Sequence, residues 1–264
     1  MKIKGYKDLP ERTGDVMMLY GEAGVGKSVS TIQTADLPML YIMTEPRDVK
    51  KFVLASGREE AKTQVDFTFY NGFDKLIEFV CDEAQFEKYR SIVLDSVSHL
   101  IAINLSDEIL DESYESSIKK KTEDKPLTMR AKMSQEGYGT LGSSMLRFTQ
   151  AFAKLSQMGK TIMFLARTES NPKYNRSYSV GPALKGQEYS KHFPGFFDFI
   201  GLVEQRSVDG RVVYPPAVSF ESDGSFVAKW TGMTPAGGTA NRVLNISKIL
   251  KASHGDLNGN SPAN

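Results

Sequence analysis

The 264-residue chain has one cysteine, one tryptophan and three histidines. A single cysteine, Cys81, permits no internal disulfide, which excludes a disulfide-stapled scaffold and fits a reducing compartment. It lies among Leu76, Ile77, Phe79 and Val80 in a helix-like stretch and reads as a buried thiol. His99, His192 and His254 have no partners at metal-ligand or triad spacing, so they read as packing or surface residues. Neither sign of charge is in excess: 33 basic residues face 32 acidic ones, so contact with a polyanion must come from a local patch. No apolar run approaches the ~20 residues of a membrane helix, and MKIKGYKDLPERTGD at the start has no apolar signal core. The expectation is a soluble, cytoplasmic protein with no membrane partner.

Against these absences one stretch stands out. Val16 to Tyr20 is a short apolar strand that runs into Gly21, Glu22, Ala23, Gly24, Val25, Gly26, Lys27 and Ser28, which fits G-x-x-x-x-G-K-[ST] at every required position. Glycines let the backbone curl so that successive N–H groups point at a phosphate, and the following helix adds the positive end of its dipole. The pattern predicts that Gly21 to Ser28, with Val29 behind them, bind ATP. Lys27 would reach the β- and γ-phosphates and Ser28 would ligate Mg²⁺.

Further along, apolar runs alternate with helical patterns. The loop's helix is expected from Lys27 to Ala35, ending before Pro38. Met39 to Met43 is a continuous apolar run of strand length, suited to a strand buried on both faces, and it ends in Thr44 and Glu45. A helix around Val49 to Ala55, a strand over Val65 to Tyr70 and an amphipathic helix from Phe73 to about Tyr89 follow. The β-α alternation predicts an open α/β sheet with helices on both faces. Ser91 to Asp95 (SIVLD) is the Walker B pattern, in which a carboxylate at a strand tip holds the metal through its water shell. Glu45 has two readings: a carboxylate that orients the attacking water, or a solvated glutamate at a helix start beside Pro46.

The order of the P-loop, YIMTEP, a strand near Phe67 to Tyr70 and IVLDSVSHL resembles the ATPase core of RecA-type recombinases over residues 12 to 231. Within that group the chain is most similar to the phage-encoded single-strand annealing ATPases of the Sak group. The resemblance implies an α/β fold: a RecA-like P-loop NTPase core with a mostly parallel central sheet, flanking helices and an antiparallel C-terminal extension. With no internal repeat and no second domain boundary, the chain reads as one domain over residues 1–250 with a disordered tail over 251–264. Carried over by position, Lys27, Glu45 and Asp95 are catalytic, Ser96 follows the Walker B aspartate, and Ser28 and Asp95 are the metal residues. It also implies ATP and Mg²⁺ as cofactors, single-stranded DNA as partner, assembly into a homo-oligomeric ring or filament, a single-strand-binding protein as a further partner, and a bacterial host cytoplasm if the gene is phage-encoded.

Two polar segments interrupt this core. Glu115 to Gln135 is basic, with Lys119, Lys120, Lys121, Arg130 and Lys132. The segment after the strand Thr161 to Ala166 carries Lys173, Tyr174, Arg176 and Tyr178. Aromatic faces beside cations suit single strands, and RecA-like cores place their DNA-binding loops at these two points; a solvated insertion is the plain alternative. At the tip of the Thr161 strand, RecA-type proteins have a glutamine sensor. Here stand Arg167 and Thr168, and Arg167 either senses phosphate or pairs with a carboxylate. Lys185 falls where RecA-like proteins offer a lysine to the nucleotide of a neighbouring subunit. Short strands divided by Asp209-Gly210 and Asp223-Gly224 turns are expected to extend the sheet antiparallel, before a helix around Val243 to Leu250. The function expected is ATP-driven single-strand annealing or strand exchange. A helicase or helicase-loader motor and a nucleotide switch without DNA activity are the alternatives.

Overall fold

Neighbouring residues of the apolar runs part to opposite faces of one sheet, as the two-residue period of a strand requires. In the first run Val16, Met18 and Tyr20 join one core, and Met17 and Leu19 join the other. The same division separates Leu40 and Ile42 from Met39, Tyr41 and Met43, and Ile162, Phe164 and Ala166 from Met163 and Leu165. Strands buried on both faces need helices on both sides, and the chain supplies them.

The computed structural model describes residues 13–110, 135–172, 178–185, 187–232 and 242–254. β1 (Val16–Gly21) leads into α1 (Lys27–Thr34). Then come β2 (Met39–Met43), α2 (Val49–Ser56), the short α3 (Ala61–Gln64), β3 (Val65–Phe69) and α4 (Phe73–Cys81). β4 (Ser91–Asp95) passes into α5 (Val97–His99), which continues through a π-helical turn, Leu100–Asn104, into helical residues 105–110. The chain goes on with α6 (Gln135–Lys154), β5 (Thr161–Ser170), β6 (Val180–Pro182) and α7 (Gln187–His192). It ends with β7 (Phe199–Val208), β8 (Arg211–Ser219), β9 (Lys229–Trp230), β10 (Arg242–Val243) and α8 (Ile246–His254).

The strands lie in the order β10-β8-β7-β1-β5-β4-β2-β3, with β6 on β5 and β9 on β7. β3, β2, β4, β5, β1 and β7 run parallel, so β5 separates the phosphate-loop strand from the Walker B strand. This is the expected α/β core with a mostly parallel central sheet. Helices α4, α5, α6 and α7 cover one face through residues such as Leu76, Leu100, Phe148 and Tyr189, and α1 and α8 cover the other through Ile32, Ile246 and Ile249. On the first face Phe164 of β5 meets Phe152 and Phe197 edge-on, with centroids 5.0 and 5.1 Å apart. Helix ends follow their sequence signals: Asp48 Oδ1 accepts from Lys50 N at 3.1 Å to start α2, and Gly57, at φ 63°, stops it.

Several expectations change: α4 ends at Cys81 rather than near Tyr89, and Val243 lies in β10, ahead of α8. β7 pairs parallel with β1, so the antiparallel extension begins only with β8; apolar content marks a strand but carries no direction. The β7–β8 hairpin does turn at Asp209-Gly210, both at positive φ, which matches the right-handed twist of its strands. Cys81 is exposed, because α4 turns Phe73, Leu76 and Val80 inward and places its last residue on the other side. Among the described residues, no helix is long and apolar enough to cross a membrane. Lys119, Lys120, Lys121, Arg130, Lys132, Lys173, Tyr174 and Arg176 lie outside the described residues, as does the tail beyond His254.

Candidate functional site

Register places the chemistry at one edge of the sheet. Gly21 of β1 pairs with Arg167 of β5, Asp95 of β4 pairs with Leu165 of β5, and Met43 of β2 pairs with Asp95. The carboxyl ends of four parallel strands therefore come level, and the loops that follow them face one cavity. Ala23, Gly24, Gly26, Lys27, Ser28, Val29, Glu45, Arg47, Phe52, Asp95, Ser96 and Arg167 contribute to its lining.

The phosphate loop has the conformation that its glycines predict. Gly24 and Gly26 adopt φ of 82° and 100°, and α1 begins at Lys27. A Cβ on Gly26 would also come within 2.9 Å of the Tyr214 ring, which lies over the loop from β8. Gly26→Ala is expected to cost ~1–2 kcal/mol from the left-handed backbone alone and to weaken nucleotide binding about tenfold. Titration of the variant with ATP and ADP checks this. Tyr214→Ala in the same chain should restore little, since the backbone penalty remains.

Lys27 Nζ donates to the carbonyls of Gly21 at 2.8 Å and Glu22 at 2.9 Å, which folds the side chain back over the loop. Burial brings its ammonium down to about 8; Asp95 opposes this and the Arg47 charge adds to it. A phosphate arriving beside Lys27 would supply the missing counter-charge. Ser28 Oγ donates to Asp95 Oδ2 at 2.6 Å, and the same oxygen accepts from Tyr41 OH at 2.7 Å. A hydroxyl and a carboxylate held together are oxygen donors of the kind a hard dication takes, so Ser28 and Asp95 fit Mg²⁺. Burial first, and then the Asp95 charge, keeps Tyr41 protonated, so it acts as a fixed donor to that carboxylate.

Glu45 is held against Asp95 by stitching between the two strand tips. Thr44 N donates to Asp95 O at 2.9 Å, Thr44 Oγ1 donates to Ser96 O at 2.9 Å, and Ser96 N donates to Thr44 Oγ1 at 2.9 Å. The Asp95–Ser96 peptide is cis. Glu45 is 7% exposed, too buried for the solvated helix-start reading. Its Oε1 accepts from Ser96 Oγ at 3.0 Å and from Arg167 Nη2 at 2.9 Å, and its Oε2 pairs with Arg47 Nη2. Burial alone would raise this carboxyl. The Ser96 hydroxyl and the two guanidiniums outweigh burial and hold it below the usual carboxylate range. His99 Nδ1 stands 3.9 Å from Oε1; burial lowers its pKa despite the pull of Glu45, which favours the neutral ring at pH 7.

The structure thus brings Ala23, Gly24, Gly26, Lys27, Ser28, Val29, Glu45, Asp95 and Arg167 to one cavity. Gly21 and Glu22 serve through their carbonyls, and the Glu22 carboxylate accepts from Thr168 Oγ1. Val25 turns into the core. Lys185 is not brought to this cavity: its Nζ donates to Ala102 O in the π-helical turn after α5 at 3.0 Å. Tyr178 packs half-buried against the core rather than standing free. Sequence reasoning missed Arg47, Tyr41 and His99. The one signal for Arg47 was its place two residues past a strand-tip glutamate.

No curated protein matches the chain. A solved structure, the flagellar accessory protein FlaH from Methanocaldococcus jannaschii, is similar at 12% identity with a TM-score of 0.44, over 83% of each chain. The AAA domain family matches residues 13–246, which takes in the phosphate loop, Glu45, Asp95 and Arg167. The chain belongs to this family of P-loop ATPases.

Proposed function

We propose that the protein is a Mg²⁺-dependent ATPase that binds single-stranded DNA and promotes annealing or strand exchange, as Sak-type phage proteins do. In this reading it works as a homo-oligomeric ring or filament, with a single-strand-binding protein as a further partner.

The observation that carries the reading is the position of Arg167. Its guanidinium holds Glu45, its N–H donates to Ser98 Oγ at 2.9 Å, and its carbonyl accepts from Ala183 N at 2.7 Å. It stands on β5 where the strand starts to pair with β6, through Thr168↔Pro182, Glu169↔Gly181 and Ser170↔Val180. Lys173, Tyr174 and Arg176 fall in sequence between β5 and β6, so the strand that carries the arginine partner of Glu45 leads directly into the segment read as a DNA contact.

Bound ATP supplies the γ-phosphoryl group, and Mg²⁺ neutralises charge on its oxygens. The rest falls to the chain. Backbone N–H groups of the loop and the start of α1 bind phosphate, Lys27 donates to it, and Ser28 and Asp95 hold the metal's ligand shell. Glu45, ionised across the physiological range, orients and polarises the attacking water more than it stores a proton. For DNA, Lys119 to Lys132 and Lys173 to Arg176 offer cations and a tyrosine face.

The test is ATP turnover with and without single-stranded DNA, across a salt series. Turnover is expected to rise with DNA at low salt, and the stimulation to fade as salt increases, because cation–phosphate contacts release counterions. DNA should also protect residues 119–132 and 173–178 from protease. DNA-independent turnover with no protection at low salt would remove the DNA half of the reading and leave the ATPase.

A further inference from the structure

Both oxygens of Glu45 are committed to arginines of its own chain, and the two arginines differ. Arg167 shares Oε1 with Ser96, and its backbone is bonded on both sides, its N–H to Ser98 Oγ on α5 and its carbonyl to Ala183 N just past β6. Arg47 takes Oε2 alone and follows Pro46, whose ring fixes the link to Glu45; both guanidiniums reach solvent, the Arg47 side chain being 38% exposed and that of Arg167 50%. The Arg47 guanidinium can therefore leave the carboxylate by side-chain rotation, with the backbone in place. The cavity has a reason for it to leave. Three cations, Lys27, Arg47 and Arg167, face two carboxylates, Glu45 and Asp95, so positive charge is left over for an added anion.

We propose that Arg47 reads the terminal phosphate in cis: it occupies Glu45 Oε2 when no third phosphate is present, and transfers to that phosphate when one is, releasing the oxygen for the attacking water. The proposal rests on the reading above that this cavity takes ATP. A terminal phosphate carries more charge than one carboxylate and offers its oxygens to the same planar fork, so the exchange favours phosphate. A diphosphate gives Arg47 nothing to move to, and Glu45 stays engaged. Arg167 remains on Oε1 in both states, which keeps the carboxylate oriented while its other oxygen is freed. Arg47 thus couples the identity of the nucleotide to the readiness of the glutamate.

The experiment measures the affinities of a non-hydrolysable ATP analogue and of ADP for the wild type, Arg47→Ala and Arg47→Lys, with melting curves to confirm folding. Arg47→Ala is expected to weaken the triphosphate roughly tenfold or more, the scale of one charge-assisted hydrogen bond, while ADP changes by less than about twofold. Arg47→Lys, which keeps the charge and loses the fork, should fall between. Equal weakening of both nucleotides, or no change in either, overturns the proposal and leaves the ATPase reading standing. A wild type that binds neither nucleotide sinks that reading first and this one with it. If Arg47→Ala does not fold, the ratio of the two affinities in Arg47→Lys decides.

Discussion

Lys27→Ala is expected to bring ATP hydrolysis down to the no-enzyme background. The structure gives Lys27 one task and the proposed function gives it a second. Its ammonium closes the phosphate loop through the Gly21 and Glu22 carbonyls, and in the proposed function it is the cation that the loop presents to phosphate. Alanine removes both, so the loop loses an internal tie and the cavity loses one of its three positive charges. Loss of one pre-organised donor of this kind costs ~10²–10³ in turnover, and weaker nucleotide binding adds to it. The core should survive, because Lys27 belongs to neither hydrophobic cluster. Lys27→Arg is expected to fail as well, since a planar guanidinium does not replace a compact ammonium between two carbonyls 2.8 and 2.9 Å away. The measurement is steady-state phosphate release beside nucleotide titration, with circular dichroism to confirm folding. Undiminished turnover in Lys27→Ala would show that hydrolysis happens elsewhere.

What the amino-acid order reveals depends on how local each feature is. The phosphate loop is legible because strand, glycines, lysine and helix occupy one continuous stretch, and the structure places Lys27 at the first turn of α1. The buried strands are legible too, since Met39 to Met43 and Thr161 to Ala166 leave little choice but a sheet covered on both sides. Glu45 is different. In the sequence it is a glutamate before a proline, open to two readings. Ser96, 51 residues away, and Arg167, 122 residues away, give it a role only when three strand tips converge. Arg47 and Tyr41 were hidden for a related reason. One is a charged loop residue and the other an apolar-run tyrosine, and only the fold turns them toward Glu45 and Asp95. Cys81 shows the opposite failure: apolar neighbours in sequence said buried, but the helical face set by Phe73, Leu76 and Val80 left it outside.

The same convergence determines how a change at Glu45 should behave. Glu45→Gln is expected to lower turnover by ~10²–10⁴, the range associated with a positioned acid–base group, while nucleotide binding persists. The amide is nearly the same size, so Ser96 still has an oxygen to donate to. What disappears is the negative charge. Arg47 and Arg167 then lose the carboxylate between them and only Asp95 remains to offset the cavity's cations, which destabilises the nucleotide-free protein. A bound triphosphate compensates those arginines, so the variant should bind ATP more tightly than the wild type does and fail to turn it over. Its melting temperature should rise more on adding ATP than the wild type's does, because ligand stabilisation grows with affinity. Thermal melts with and without ATP, beside single-turnover hydrolysis, separate the outcomes. Unchanged turnover in Glu45→Gln would remove Glu45 from the reaction and reduce its two arginines to a structural ion cluster. Lost turnover together with weaker ATP binding would place Glu45 in the reaction but show that Arg47 does not pass from carboxylate to phosphate.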